Sequence, residues 1–406
     1  MMHINLKRSS FLLVNQVLNS GKSFLLAFVL ARYFDKGAFG VYAFIIICLS
    51  NYLGFLNSLV YEPLSILKEG VGASYNQVIA YLFHRQTQIN AVLGTIFCGL
   101  AVLKVFPPVS LALILLFFVG SQLHEYVKRI CLNQLDTRTA LGLDIIQAVS
   151  QGVILLFCVF LKGLTLNTVF FSLAMGCIPT VAYSFIKHKE MFVYTNGLPG
   201  IYNARYFKYI KPNLLFSFVS FTSSQLNNFV IFLVLGSVSL ANCEAVRLLM
   251  IPLHITILAM GNILVPYFSR IAQVMGKEAL REKLRSMVIF FLVVFVIFAL
   301  FILWSGPLML ELFYKGKYAR QLPLLGIFAT IYIFDGLNGI VTYYLKAVGM
   351  IQHGVKIRIV LTLLNAIVLI PLIFRFREAG GLLATMFTGI VLFGSYFRVL
   401  VKEKLI

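Results

Sequence analysis

The chain has 406 residues, 60% hydrophobic and only 12% charged, with a net charge of +20. Soluble domains carry about 25% charged residues, so this composition over the whole length excludes a soluble protein and a soluble domain on one anchor. The basic excess does not indicate nucleic acid either, because no basic cluster accompanies a soluble recognition module.

A helix needs roughly 20 apolar residues to cross the hydrocarbon core. Apolar stretches of that length predict spans near 9–31, 38–60, 80–104, 109–130, 141–161, 165–186, 212–236, 241–266, 286–304, 320–344, 354–374 and 380–400. The expected fold class is an all-α polytopic membrane protein, with about 12 transmembrane helices in two six-helix halves around a central lumen. The halves are expected at 1–190 and 212–406, joined by a connecting loop at 191–211 on the cytoplasmic side. With the N-terminus in the cytoplasm, the tails and even-numbered loops hold 23 of the 34 basic residues and the odd-numbered loops 9. That bias is the positive-inside signature and puts both termini in the cytoplasm.

The first span carries Lys22 in an otherwise membrane-length helix, beside Asn15, Gln16, Asn19 and Ser23. At 100° per residue these five fall within about 120° of arc, with Phe11, Leu18 and Leu25 outside it. A charge at the centre of a span costs at least about 2.5–3.5 kcal/mol. Two readings fit: Lys22 faces a polar lumen, or it snorkels to the headgroups. The first apolar run is too long for a signal peptide, and no small-residue cleavage site follows it.

Spans two and four end in acidic residues. Glu62 precedes Pro63. Glu125 stands next to His124 and one turn from Lys128 and Arg129, which reads as a network at the membrane surface. The longest connection, from Lys187 to Lys211, divides the chain in the middle, and its end from Tyr202 to Lys211 reads as an interfacial amphipathic segment.

Span seven repeats the polar theme with Ser217, Ser220, Ser224, Gln225, Asn227 and Asn228. Amides there serve either as glue between helices or as a lumen wall. Span eight opens with Glu244 and Arg247, three apart and hence neighbours: an internal ion pair, or a second cationic position beside Lys22. Pro252, before His254, is placed to kink this span or to free a carbonyl. Asp335 lies near the middle of span ten, paired with a cation or acting as a protonatable coupling group.

No metalloprotease, nucleophile-elbow, Walker or dinucleotide motif occurs, so no enzyme, cofactor or metal is expected. Six scattered cysteines, Cys48, Cys98, Cys131, Cys158, Cys177 and Cys243, read as small core residues.

Several segments resemble the polysaccharide flippases of the multidrug/oligosaccharidyl-lipid/polysaccharide exporter superfamily. They are Asn15-Gln16 through Leu30-Ala31-Arg32 with Phe39-Gly40-Val41-Tyr42; Ala245-Val246-Arg247-Leu248-Leu249 with Pro252-Leu253, Asn262 to Pro266 and Ser269-Arg270; and Gly306-Pro307 through Leu312-Phe313-Tyr314. Relatives often have fourteen spans; twelve here favours the O-antigen or capsule repeat-unit branch. The resemblance implies a flippase for polyprenyl-pyrophosphate-linked oligosaccharide in the bacterial inner membrane, working by alternating access. It implies Lys22 and Arg247 for the pyrophosphate, Asn15, Asn19, Gln225 and Asn228 for the sugar, and Asp335 for coupling to H+ or Na+. Membrane lipids, a glycan polymerase and assembly proteins are the implied partners, and nucleic acid is not. A cation-coupled multidrug antiporter of the same superfamily is the nearest alternative. A membrane polysaccharide polymerase is the alternative from another class, although no outer loop here is long enough to carry its catalytic residues.

Overall fold

A computed structural model of the chain describes residues 6–66, 75–102, 111–134, 136–193, 200–274, 276–348 and 350–402. Among them there is no strand; the chain is an all-α polytopic membrane protein. The helices are α1 (Leu6–Tyr33), α2 (Lys36–Leu56), α3 (Glu62–Ile66), α4 (Tyr75–Val102), α5 (Leu111–Asn133), α6 (Thr137–Lys162) and α7 (Leu166–Met175). They continue as α8 (Ile178–Lys187), α9 (Gly200–Leu235), α10 (Ser237–Leu248), α11 (Ile251–Val274), α12 (Gly276–Tyr314), α13 (Leu322–Ala347) and α14 (Ile351–Lys402). Seven helical stretches among the described residues are long and apolar enough to cross a membrane, or eight if the bent pair α10–α11 is one span.

Helix α6 shows how these segments are built for lipid. Its buried side carries Asp144, Gln147 and Gln151, while Val153, Leu156, Phe157 and Phe160 are exposed, Phe160 to 85%. An apolar face turned outwards and a polar face turned inwards is the reverse of a water-soluble helix. Helix α12 also turns an apolar face outwards, with Ile289, Phe290, Val293, Ile297, Leu300 and Trp304 exposed, but its buried side, with Leu284, Phe295, Ala299 and Ile302, is apolar as well.

Two of the breaks fall at prolines. Pro63 has no N–H to offer the carbonyl of Leu59 four residues back. The helix widens there into a π-turn over Asn57–Tyr61, and the Tyr206 hydroxyl donates to the freed Leu59 oxygen at 3.2 Å. Replacing Tyr206 by phenylalanine is expected to cost about 0.5–1.5 kcal/mol, read as a lower melting temperature in detergent with little change in helix content by circular dichroism. Pro252 produces the anticipated kink: α10 and α11 are bent by 66° around Leu249 and Met250. Helix α14 is interrupted at Arg377, which takes a left-handed φ of 52°; the spans expected at 354–374 and 380–400 meet there. The segment Tyr202 to Lys211 is helical and continuous with span seven. It is the start of the 36-residue α9, which begins at Gly200. Its aromatic and basic residues are good enough helix formers to continue the helix.

The chain divides into two compact units. The first comprises Met1–Lys22 and Ile45–Phe218, the second Ser23–Phe44 and Val219–Ile406. In the first, α5 packs against α4, α6, α7 and α8. In the second, α13 is the central helix, packed against α10, α11, α12 and α14. The hairpin 23–44 is fastened into the second unit by polar as well as aromatic contacts. Arg32 donates to the Leu312 carbonyl at 3.3 Å, and Lys317 donates to the carbonyls of Ala31, at 3.3 Å, and Phe34. A cation on the last carbonyls of a helix suits its negative end. Burial holds the Lys317 ammonium below the usual lysine range, partly offset by Asp35. Phe44 stacks on Phe232 with ring centroids 3.8 Å apart.

Candidate functional site

Two polar clusters lie within the membrane-length helices, one in each unit. The first is organised by α6, whose residues 144, 147 and 151 share one face. Lys22, on α1, donates from Nζ to Gln147 Oε1 at 3.0 Å. Gln147 Nε2 points to the Cys177 sulfur at 3.3 Å, and Gln151 donates to the Leu173 carbonyl at 3.2 Å. One turn before Gln147, Asp144 is 1% exposed. Its Oδ1 lies 2.7 Å from His124 Nε2, and its Oδ2 lies 2.9 Å from Lys128 Nζ. The ionised carboxylate can only accept, so His124 carries its proton on Nε2 and, when neutral, accepts at Nδ1 from the Thr180 hydroxyl 2.8 Å away. Four elements, α5, α6, α8 and α1, thus meet around one buried acid and two cations.

The sequence read Glu125 as part of a surface network beside His124, Lys128 and Arg129; the structure pairs Glu125 with Arg129 and Lys128 but adds a buried set that this reading did not contain. Residues 124 and 128 share a face of α5 and turn inwards to Asp144, whereas Glu125 is a step of about 100° away. Glu125 keeps Arg129 at 2.7 Å, but Lys128 is 4.0 Å from it and closer to Asp144. Asp144 itself was missed. Its signal was present: a carboxylate inside an apolar stretch carries the same cost that singled out Lys22.

In the second unit Arg247 holds Glu244 with both Nε, at 2.9 Å, and Nη2, at 2.6 Å. The spacing of three residues reads correctly as a contact on one face. The ring of Tyr332 meets His254 edge-on at 5.8 Å. On the same helix as Glu244, Asn242 donates to Glu378 at 3.2 Å. Deeper amides form a second set: Asn227 donates to the Gly381 carbonyl at 2.9 Å and to Thr385, and accepts from Asn365 at 3.3 Å. Gln225 accepts from Asn228 at 2.9 Å, one turn along α9. Asp335 is exposed and makes no hydrogen bond or ion pair with any described residue; Arg358 is the cation whose charge it feels. Arg358 in turn donates to the Tyr396 hydroxyl at 3.2 Å. The side chains of Asn15 and Asn19 lie outside the described residues. Among the described residues no cluster of His, Cys, Asp and Glu could hold a metal ion.

The arrangement is that of a membrane protein whose interior, not its surface, carries the polar groups, and its fold is one seen in solved transporters. The lipid II flippase MurJ, in an inward closed conformation, superposes with a TM-score of 0.73 over 98% of this chain and 88% of that one, at 14% identity. A mutant of the Vibrio cholerae MATE transporter VcmN gives 0.62 over 99% of both chains, also at 14% identity. A superfamily transporter from Pyrococcus furiosus, described as having a binding pocket of reverse polarity, gives 0.61 over 98% of this chain and 96% of that one, at 14% identity. No protein-family model and no curated protein sequence matches the chain.

Proposed function

We propose that the chain is a transporter of this superfamily and a flippase for polyprenyl-pyrophosphate-linked oligosaccharide repeat units, working by alternating access in the bacterial inner membrane with both termini cytoplasmic. The observation that carries the reading is Lys22. Within its membrane helix the Lys22 ammonium has one hydrogen-bond acceptor among the described residues, Gln147, and three donors to satisfy. A pyrophosphate supplies the missing acceptors and the counter-charge. The lipid II flippase fold is consistent with an anionic lipid-linked cargo. Arg247 is the second proposed cationic contact. It is held by Glu244 in this conformation, so binding of substrate there exchanges one anionic partner for another. Asn15, Asn19, Gln225 and Asn228 are proposed for the sugar, and Asp335, which no described cation pairs directly, for coupling to H+ or Na+. A glycan polymerase and assembly proteins would receive the product.

A cation-coupled multidrug antiporter is the second reading, favoured by the similar fold of the MATE transporters and by the unpaired Asp335. One experiment separates the two. Lys22→Ala and Arg247→Ala, singly and together, are assayed for surface glycan, accumulated lipid-linked intermediate and efflux of a cationic dye. Loss of an acceptor-matched charge costs about 2–5 kcal/mol, so glycan export is expected to fall more than tenfold in the double variant, with lipid-linked intermediate accumulating. Unchanged glycan export from a stably inserted double variant, with dye efflux lost, would establish the antiporter reading instead.

A further inference from the structure

A cleft of about 690 Å³ lies wholly within the second unit, between the start of α12, the end of α14 and Val341 of α13. That volume falls within the range of about 300–1,000 Å³ typical of small-molecule sites. Its walls are of two kinds. Val288, Val341, Phe393 and Phe397 form an apolar part, and Arg281, Arg285 and Glu282 form the rim.

Arg281 and Arg285 are four apart and project from one face of α12. Neither makes a hydrogen bond or ion pair with a described residue, and both are exposed. They stand in the first two turns of the candidate span Ala279–Tyr314, where an apolar helix leaves the hydrocarbon and meets water. The apolar wall is open to the side: Ile289, next to Val288, is 53% exposed and Phe397 50%. Both belong to the outward apolar surface that faces lipid chains. An occupant therefore reaches the cleft from within the bilayer, brings an apolar chain to the aromatic part, and sets a negative group between two guanidinium forks.

We propose that this cleft is a binding site for an anionic glycerophospholipid of the leaflet it faces. One acyl chain lies against Phe393 and Phe397, and the phosphate is held by Arg281 and Arg285. The rim is net cationic even with Glu282 counted, so it selects an anionic headgroup over a zwitterionic one. Glu282 accepts a hydrogen bond from a headgroup hydroxyl, which makes phosphatidylglycerol the fitting probe. Basic pockets between membrane helices are suited to anionic headgroups. The site is separate from the proposed cargo residues and does not depend on the flippase reading.

The test uses the purified full chain in detergent. Native mass spectrometry compares retention of phosphatidylglycerol with phosphatidylcholine and phosphatidylethanolamine of the same chains. It is run on the wild type, on Arg281→Gln/Arg285→Gln, and on Phe393→Ser/Phe397→Ser. The wild type is expected to prefer phosphatidylglycerol by about tenfold or more. The arginine variant should lose the preference, and the phenylalanine variant should lose retention of all three lipids. Equal retention of the three lipids by the wild type overturns the proposal, as does unchanged preference in the arginine variant. Displacement of phosphatidylglycerol by stoichiometric polyprenyl pyrophosphate also overturns it, by assigning the cleft to the cargo. The arginines are exposed and unpaired, so the arginine variant is expected to melt like the wild type, which keeps the comparison interpretable.

Discussion

Asp144→Ala is expected to destabilise the first unit by about 3–5 kcal/mol, the cost of leaving a buried charge without its partner. The carboxylate is 1% exposed and receives both His124 and Lys128. Removing it strands an ammonium and an imidazole among apolar helices. Asp144→Asn keeps one acceptor and should lose less. Asp144→Leu combined with Lys128→Met removes both charges, and an apolar replacement of a whole buried pair is often neutral or stabilising. The double variant should therefore melt above Asp144→Ala. Thermal unfolding in one detergent checks the order; a melting temperature for Asp144→Ala equal to that of the wild type would remove Asp144 from any structural role.

The second large effect is steric. A methyl group built on Gly40 would meet the backbone carbonyl of Ser237, the first residue of α10. The obstacle is main chain within a helical turn, so no side-chain rotation relieves it. Overpacking of this kind costs typically about 1–3 kcal/mol and more where nothing can yield, and Gly40→Ala is expected at the upper end. The control is Ser237→Ala, which removes only a hydroxyl: paired with Gly40→Ala it should restore nothing. Recovery of stability in that pair would show that the contact is with the side chain instead.

These two residues also show what the sequence made legible. Gly40 sits in the Phe39-Gly40-Val41-Tyr42 segment, visible as a motif, but the reason for a glycine is the approach of a helix nearly 200 residues later, which no local pattern records. Glu244 and Arg247 were readable because a helix makes residues three apart into neighbours. Pro252 was readable because a missing N–H and the ring's clash with the preceding turn disturb a helix, and of the two expected results, a kink or a freed carbonyl, the bend of 66° is the kink. The inward role of His124 was not read, because only its neighbour Glu125 was considered, although each step along a helix turns the side chain by about 100°. Gln147, the acceptor for Lys22, could not be named from sequence: 125 residues separate them. The polar face of α1 showed that a partner was needed and not which helix supplies it.

The inverted faces of α6 have a consequence for how the chain is made. Membrane insertion of a segment is governed by the sum of its residues: an aspartate near a helix centre opposes entry by about 2.5–3.5 kcal/mol, whereas each Leu, Ile, Val or Phe favours it by about 0.3–0.6 kcal/mol. The outward row from Ile145 to Leu161 outweighs Asp144 by number, so α6 can leave the translocon on its own account. Synthesis from the N-terminus also means that α1 and α5, bearing Lys22, His124 and Lys128, emerge before α6 does. The acid thus enters a membrane in which its counter-charges already reside, and the order of helices along the chain lets an expensive residue be installed without a long exposure to lipid.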